Sequence, residues 1–151
     1  MNARITDIKR FAVHDGDGIR TTVFFKGCSL SCIWCHNPET ISTKRQLGFY
    51  EHKCILCGEC ADICECHTIS ANKHTFSREH CNVCGRCAEY CPSESLITYG
   101  KNVSIDKICE TLIKDKDFYS ESNGGITLSG GECLLQSEAC KDILLNMKEN
   151  N

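Results

Sequence analysis

The chain has 151 residues, 15 of them cysteine, and a formal net charge of -3 at pH 7; that length fits one domain or one domain with an insert, and the charge leaves no basic footprint for nucleic acid. No apolar run approaches the roughly 20 residues of a membrane span, and Met1–Arg20, with Arg4, Asp7, Lys9, Arg10, Asp15 and Asp17 and no apolar stretch, does not read as a secretory signal. The odd number of cysteines is therefore expected in a reducing, cytoplasmic setting, where thiols serve metals or catalysis and not a disulfide scaffold.

Thr21-Thr22-Val23-Phe24-Phe25 is β-branched and aromatic with Gly27 after it, which predicts a strand. The strand runs into Lys26-Gly27-Cys28-Ser29-Leu30-Ser31-Cys32-Ile33-Trp34-Cys35-His36-Asn37. Residues 47–100 hold two similar cysteine blocks, an internal repeat that reads as an inserted domain between segments 1–46 and 101–151. Ile105, Ile108, Cys109, Leu112 and Ile113 follow helical spacing behind a candidate N-cap at Ser104. Gly124–Gly131 reads as a second strand closed by glycines. Cys140, Ile143, Leu144 and Met147 predict a further amphipathic helix opening near Ser137. Outside the insert the order is strand, helix, strand, helix, which argues for an α/β fold of parallel βα units.

Cys28, Cys32 and Cys35 carry the sharpest chemistry. Three thiolates on a four-iron cluster leave one iron without a protein ligand, open to a small molecule. The competing reading is a tetrahedral zinc site completed by a ligand such as His36. The repeat reads Cys54-x2-Cys57-x2-Cys60-x3-Cys64, then Cys81-x2-Cys84-x2-Cys87-x3-Cys91-Pro92. This is the two-cluster ferredoxin spacing, in which each fourth cysteine serves the other cluster. Cys54, Cys57, Cys60 and Cys91 are thus assigned to one cluster, and Cys64, Cys81, Cys84 and Cys87 to the other; a pair of zinc knuckles is the alternative. Glu65 stands where a proline would follow Cys64, and Cys66 competes with Cys64 as a ligand, Cys64 being preferred on spacing. Ile55, Ile63, Val83, Leu96 and Ile97 are expected to pack around the clusters. Gly130-Gly131-Glu132, at a strand end, permits close backbone approach to a ligand or forms a plain turn. Trp34 is read as either a core aromatic or a ligand neighbour. Cys66, Cys109, Cys133 and Cys140 are expected as small buried apolar residues. His14, His52, His67, His74 and His80 show no ligand spacing.

Three segments in order resemble the glycyl radical enzyme activating enzymes of the radical S-adenosylmethionine superfamily, the pyruvate formate-lyase activating type included. They are Asp15-Gly16-Asp17-Gly18-Ile19-Arg20, Val23 to Cys28 continuing through Cys35-His36-Asn37-Pro38-Glu39, and Ser129-Gly130-Gly131-Glu132. Asp17 and Cys133 stand where that family usually has proline. The resemblance implies a partial (β/α) barrel, here truncated after about two strands, with a ferredoxin-like insert. It implies three [4Fe-4S] clusters and S-adenosylmethionine, whose amino and carboxylate groups chelate the open iron held by Cys28, Cys32 and Cys35. Gly130, Gly131 and Glu132 would hold the methionine end. Trp34 would pack near the adenine, His36 would touch the nucleoside or cap the loop, and Asp15 would border the substrate peptide. An electron, from a reduced flavodoxin or ferredoxin, breaks a carbon–sulfur bond of the sulfonium. The 5′-deoxyadenosyl radical then takes a Cα hydrogen from one glycine of a partner enzyme. No nucleic acid and no membrane partner is expected. The other class that the cysteine pattern allows is a ferredoxin-like electron carrier or a degenerate cluster-binding module. A six-unit barrel at roughly 30 residues per βα unit needs about 180 residues, so the chain reads as an N-terminal part with an open sheet edge, expected to be poorly soluble, to load clusters and barely to turn over.

Overall fold

The computed structural model describes residues 1–150. In chain order the elements are β1 (Asn2–Ala12), β2 (Arg20–Phe25), β3 (Gln46–Phe49), α1 (Glu59–Ile63), β4 (His67–Ser70), β5 (Lys73–Phe76), α2 (Arg86–Glu89), β6 (Leu96–Tyr99), β7 (Lys101–Ser104), α3 (Ile105–Ile113), α4 (Lys116–Ser122), β8 (Gly125–Gly130) and α5 (Ser137–Glu149). They fall into two compact units, one formed by Met1–Lys44 with the chain from Gly100 onward, the other by Arg45–Tyr99.

In the first unit a four-stranded sheet has the order β7-β1-β2-β8. The expected strand and the glycine-bounded strand pair in parallel, from Arg20 opposite Gly125 to Phe25 opposite Gly130. The sheet is nevertheless mixed, because β1 lies antiparallel to both β2 and β7. Two strands were expected here and four are present. β1 opens with a readable alternation, Ala3 and Ile5 inward, and then loses it. Register shifts between Ile5 and Asp7 and between Lys9 and Ala12, with Phe11 at φ 57°, break the period of two that marks a strand.

Residues 21, 23 and 25 of β2 point one way, as alternation requires. Val23 and Phe25 join Ile105, Ile108, Leu112, Ile143 and Met147 in the core between the sheet and α3 and α5. The Ser104 side chain caps α3 by accepting from Lys107 N–H, as its position suggested. The buried residues of α5 are Ala139, Cys140, Ile143 and Met147; Leu144, expected on that face, is 52% exposed. Helix α4 was not legible in the sequence. It follows Asp115, a wholly buried carboxylate that takes Arg10 Nε at 2.9 Å and the Thr21 hydroxyl at 2.6 Å. The Arg10 guanidinium, against burial and with help from Thr21, holds Asp115 below the ordinary carboxylate range.

The second unit is built from an antiparallel pair, β3 with β6, and a tight hairpin, β4 with β5. Ala71 and Asn72 turn the hairpin with φ of 48° and 60°, the positive pair that a two-residue hairpin of matching twist needs. Its fully buried apolar residues are Leu47, Cys60, Cys87 and Leu96. Two of these four are thiols, so little of this core is hydrocarbon alone. Among the described residues, no helix is long and apolar enough to cross a membrane.

Candidate functional site

The loop after β2 leaves the sheet at Gly27. Gly27 N–H donates to Thr40 O at 2.7 Å and Cys28 N–H to Ile41 O at 2.9 Å, so the loop returns to its start through the short turn at Pro38–Thr40. Pro38 fixes the first residue of that turn, and the Thr40 hydroxyl donates to Asn37 O at 2.6 Å. The buried Lys26 ammonium bonds the Glu39 carbonyl, and burial lowers its pKa. Held this way, Cys28, Cys32 and Cys35 line one cavity of about 240 Å³ with Leu30, Trp34, His36, Thr40, Ile41, Gly130 and Gly131. Leu30 N–H donates to Cys28 Sγ at 3.4 Å. Trp34 is 75% exposed, which overturns its reading as a core aromatic. Thr40 and Ile41 had no signal beyond Pro38 itself.

Gly130 and Gly131 reach this cavity because nothing but glycine fits there. Gly130 has φ 109°, and a Cβ on it would lie 2.3 Å from Phe25 O; a Cβ on Gly131 would lie 2.2 Å from Gly27 O. The end of β8 is thereby pressed against the first residues of the cysteine loop, and Glu132 N–H donates to Gly27 O at 2.8 Å. The Glu132 carboxylate turns back to accept from Leu134 N–H at 2.9 Å, so it borders the cavity without lining it. Asp15 lies on the face of β2 away from α3 and α5. Its carboxylate accepts from the Thr22 hydroxyl at 2.7 Å and its carbonyl from Thr127 at 2.9 Å. Arg20 Nε donates to the same Thr127 at 2.6 Å. Asp15 is not among the residues lining the cysteine cavity.

In the second unit the repeat is visible in the backbone. Leu56 and Val83 occupy equivalent places two residues after Cys54 and Cys81, and both have positive φ, 58° and 55°. A left-handed β-branched valine is rare, and such strain collects at functional sites. Gly58 and Gly85, at φ 95° and 90°, open α1 and α2 in the same way. The buried thiol of each block feels neighbouring thiols from both blocks. Burial pushes Cys60 up, as do its neighbours Cys54, Cys57 and Cys91. Burial pushes Cys87 up to about 11, with Cys64, Cys81 and Cys84 next in effect. Cys91 is opposed by burial yet falls to about 7, because Ser95, the Leu96 N–H and Ser93 bond its sulfur; the Ser95 oxygen is 3.2 Å away. Hydrogen bonds from Arg86 lower Cys84.

Two expectations about packing fail here. Ile55 is 63% exposed and is not part of the apolar cluster around Cys60 and Cys87. Cys66 is half-exposed and lines a cavity of about 280 Å³ with Cys64, Cys81, Cys84 and Cys87, and desolvation with bonding to Cys64 and Cys81 lifts it to about 11. Cys109 and Cys140 are buried, whereas Cys133 is half-exposed. The histidines bring a surprise. His67 and His74 are 3% and 4% exposed, and burial lowers both below the ordinary imidazole value. His74 Nδ1 lies 3.3 Å from Cys54 Sγ. The pair sits seven residues apart across the hairpin, a closeness that only the turn at Ala71 and Asn72 creates, so linear spacing could not reveal it.

A family model described as a 4Fe-4S single cluster domain matches residues 14–151. The chain belongs to that 4Fe-4S family. One cluster is all that the family's description names. The chain is also 43% identical, over 98% of its length, to the choline trimethylamine-lyase activating enzyme of Oleidesulfovibrio alaskensis, covering 49% of it. It is 44% identical over 86% of its length to the benzylsuccinate synthase activating enzyme of Thauera aromatica, covering 41%. With the pyruvate formate-lyase 2-activating enzyme of Escherichia coli it shares 39% identity over 97% of its length, covering 42%. The chain thus spans a little under half the length of these curated relatives, and its resemblance to glycyl radical enzyme activating enzymes extends over nearly all of its own.

Proposed function

We propose that this protein is a radical S-adenosylmethionine activase that makes a glycyl radical on a partner glycyl radical enzyme. The observation that carries the reading is the one cavity in which Cys28, Cys32, Cys35, Gly130 and Gly131 meet. Three soft thiolates suit an iron–sulfur centre, and two glycines whose Cβ positions are already filled by backbone let the main chain at the end of β8 lie against the cysteine loop. With a [4Fe-4S] centre and S-adenosylmethionine bound, the site would supply one-electron cleavage to a carbon radical able to remove a glycine Cα hydrogen.

The chain's own residues hold and orient. Cys28, Cys32 and Cys35 would ligate three irons. Gly130, Gly131 and Glu132 would take the methionine end, and Trp34 and His36 the nucleoside. Asp15, fixed by Thr22 and Thr127, would border the incoming peptide. Lys26 and Thr40 keep the cysteine loop closed on its own base. Segments 1–46 and 101–151 would belong to a partial (β/α) barrel of the radical S-adenosylmethionine type. Segment 47–100 would be a two-cluster ferredoxin-like insert, ligated by Cys54, Cys57, Cys60 and Cys91 and by Cys64, Cys81, Cys84 and Cys87. Three [4Fe-4S] clusters result. The electron donor would be a reduced flavodoxin or ferredoxin, and the setting cytoplasmic. The relatives act on partners as unlike as choline trimethylamine-lyase and benzylsuccinate synthase, by their names, which supports the class of partner and not its identity.

The test is to reconstitute the protein anaerobically, reduce it and supply S-adenosylmethionine. Formation of 5′-deoxyadenosine, lost on Cys35→Ala, is the expected result. Iron loading with no 5′-deoxyadenosine would instead mark a ferredoxin-like carrier.

A further inference from the structure

His67 and His74 are no part of the cysteine repeat, yet they lie against it. His74 Nδ1 is 3.3 Å from Cys54 Sγ, and its Nε2 is 3.0 Å from His67 Nδ1 and 3.6 Å from Cys60 Sγ. His67 Nε2 is buried with no hydrogen-bond partner among the described residues. Each ring is pinned by an aromatic neighbour: Phe49 is tilted on His74 at 4.4 Å, and Phe76 is stacked on His67 at 4.8 Å.

These contacts select one arrangement of protons. An iron-bound cysteine is a thiolate and has no proton to give, so of the two His74 nitrogens the one nearer a cysteine sulfur, Nδ1 at 3.3 Å from Cys54 against Nε2 at 3.6 Å from Cys60, is the better placed to donate. With the proton on His74 Nδ1, that N–H points at Cys54 Sγ. His74 Nε2 then accepts from His67 Nδ1–H, and His67 Nε2 is left as an unpaired acceptor. The other tautomer sets a lone pair of His74 against the Cys54 thiolate and leaves a buried N–H of His67 orphaned, the costlier fault. We propose that His74, oriented by His67, donates a hydrogen bond to the Cys54 sulfur and so stabilises the reduced form of the iron–sulfur centre ligated by Cys54, Cys57, Cys60 and Cys91; this rests on the cluster assignment proposed for the repeat. One added electron raises the negative charge on the centre's sulfurs, and a fixed N–H dipole favours that charge. Hydrogen bonds to sulfur are one of the levers on such potentials. No proton changes place in the step. His74 is thus a positioning residue for electron entry. The same atoms also admit direct ligation of a metal ion by Cys60, His67 and His74, whose ligand atoms lie within 4.8 Å of one another, but that would take Cys60 from its four-cysteine set.

The experiment uses the full chain with Cys28, Cys32 and Cys35 replaced by Ala, reconstituted with iron and sulfide, so that only the repeat contributes signal. His74→Phe keeps an aromatic ring and removes the donor; His74→Asn places an amide N–H where Nδ1 was; His67→Phe keeps the stack on Phe76 and removes the orienting bond. Iron content should be equal in all four proteins. In a redox titration followed by electron paramagnetic resonance, His74→Phe should lower the reduced-to-oxidised ratio of one centre about tenfold at fixed potential, which is about 59 mV for a one-electron couple. His67→Phe should shift the same centre in the same direction by less, and His74→Asn should stay near the parent. Unchanged potentials in both Phe variants at full iron content would overturn the hydrogen bond while leaving the clusters standing. Loss of iron from one centre in all three variants would assign the imidazoles to ligation and overturn it too. A parent protein that loads zinc in place of iron would overturn the cluster assignment and the inference with it.

Discussion

Gly130 shows how a single residue ties strand to site. At φ 109°, with Phe25 O where a Cβ would stand, an alanine there must part β8 from β2. Gly130→Ala is expected to cost about 3 kcal/mol, a fall of roughly 10 °C in Tm for a domain of this size, and to abolish iron retention by Cys28, Cys32 and Cys35 while the repeat keeps its iron. Thermal unfolding and iron analysis check both halves. Asp115 makes a different kind of prediction. Its folded pKa is depressed, first by Arg10 and against burial, so its stabilisation is complete above the unfolded carboxylate value of about 3.9. That stabilisation is lost as pH falls through the lower folded value. Asp115→Asn should destabilise the protein by about 2–3 kcal/mol at neutral pH, from charged hydrogen bonds lost, and the difference from the parent should shrink below about pH 4. Urea unfolding of cluster-free protein across that range, where acid release of iron plays no part, would show an unchanging difference if the pair were irrelevant.

At the scale of elements, legibility followed periodicity. Helix α3 was readable because its apolar residues repeat at three and four behind a Ser cap. Strands β2 and β8 were readable because β-branched runs end in glycine. β1 was not, since two register shifts erase its alternation, and α4 was not, since its surroundings are organised by the buried Arg10–Asp115 pair over long sequence separation. The cysteine repeat was readable as spacing, but the neighbourhood of Cys54 was not: His74 arrives through the fold of a hairpin. The two equivalent left-handed residues, Leu56 and Val83, make the repeat a repeat of backbone as well as of sequence. If the sets are crossed, Cys64→Ala should bleach the centre that Cys81, Cys84 and Cys87 share, and leave that of Cys54 intact by electron paramagnetic resonance. Loss of the Cys54 centre instead would favour local pairing, with Cys66 brought in.

At the scale of the whole molecule, the two units should differ in what holds them. The first has a hydrocarbon core of Val23, Phe25, Ile108, Leu112 and Ile143. The second has Leu47 and Leu96 beside Cys60 and Cys87, and a core so small would depend on the clusters proposed for it. Removing iron with a chelator should therefore expose residues 45–99 to protease while the β1–β2–β8 sheet stays protected, as limited proteolysis with mass spectrometry would show. Fully loaded protein should carry about twelve irons from the four-iron clusters described, and replacing Cys28, Cys32 and Cys35 by Ala should remove a third. The most direct measurement is electron paramagnetic resonance of the reduced, reconstituted protein with and without S-adenosylmethionine. Addition should change the signal of one centre, the one lost when Cys28, Cys32 and Cys35 become Ala, and should leave the two repeat centres as they were. A spectrum indifferent to S-adenosylmethionine in iron-replete protein would contradict an open iron in the cavity that Gly130 and Gly131 share with the three cysteines.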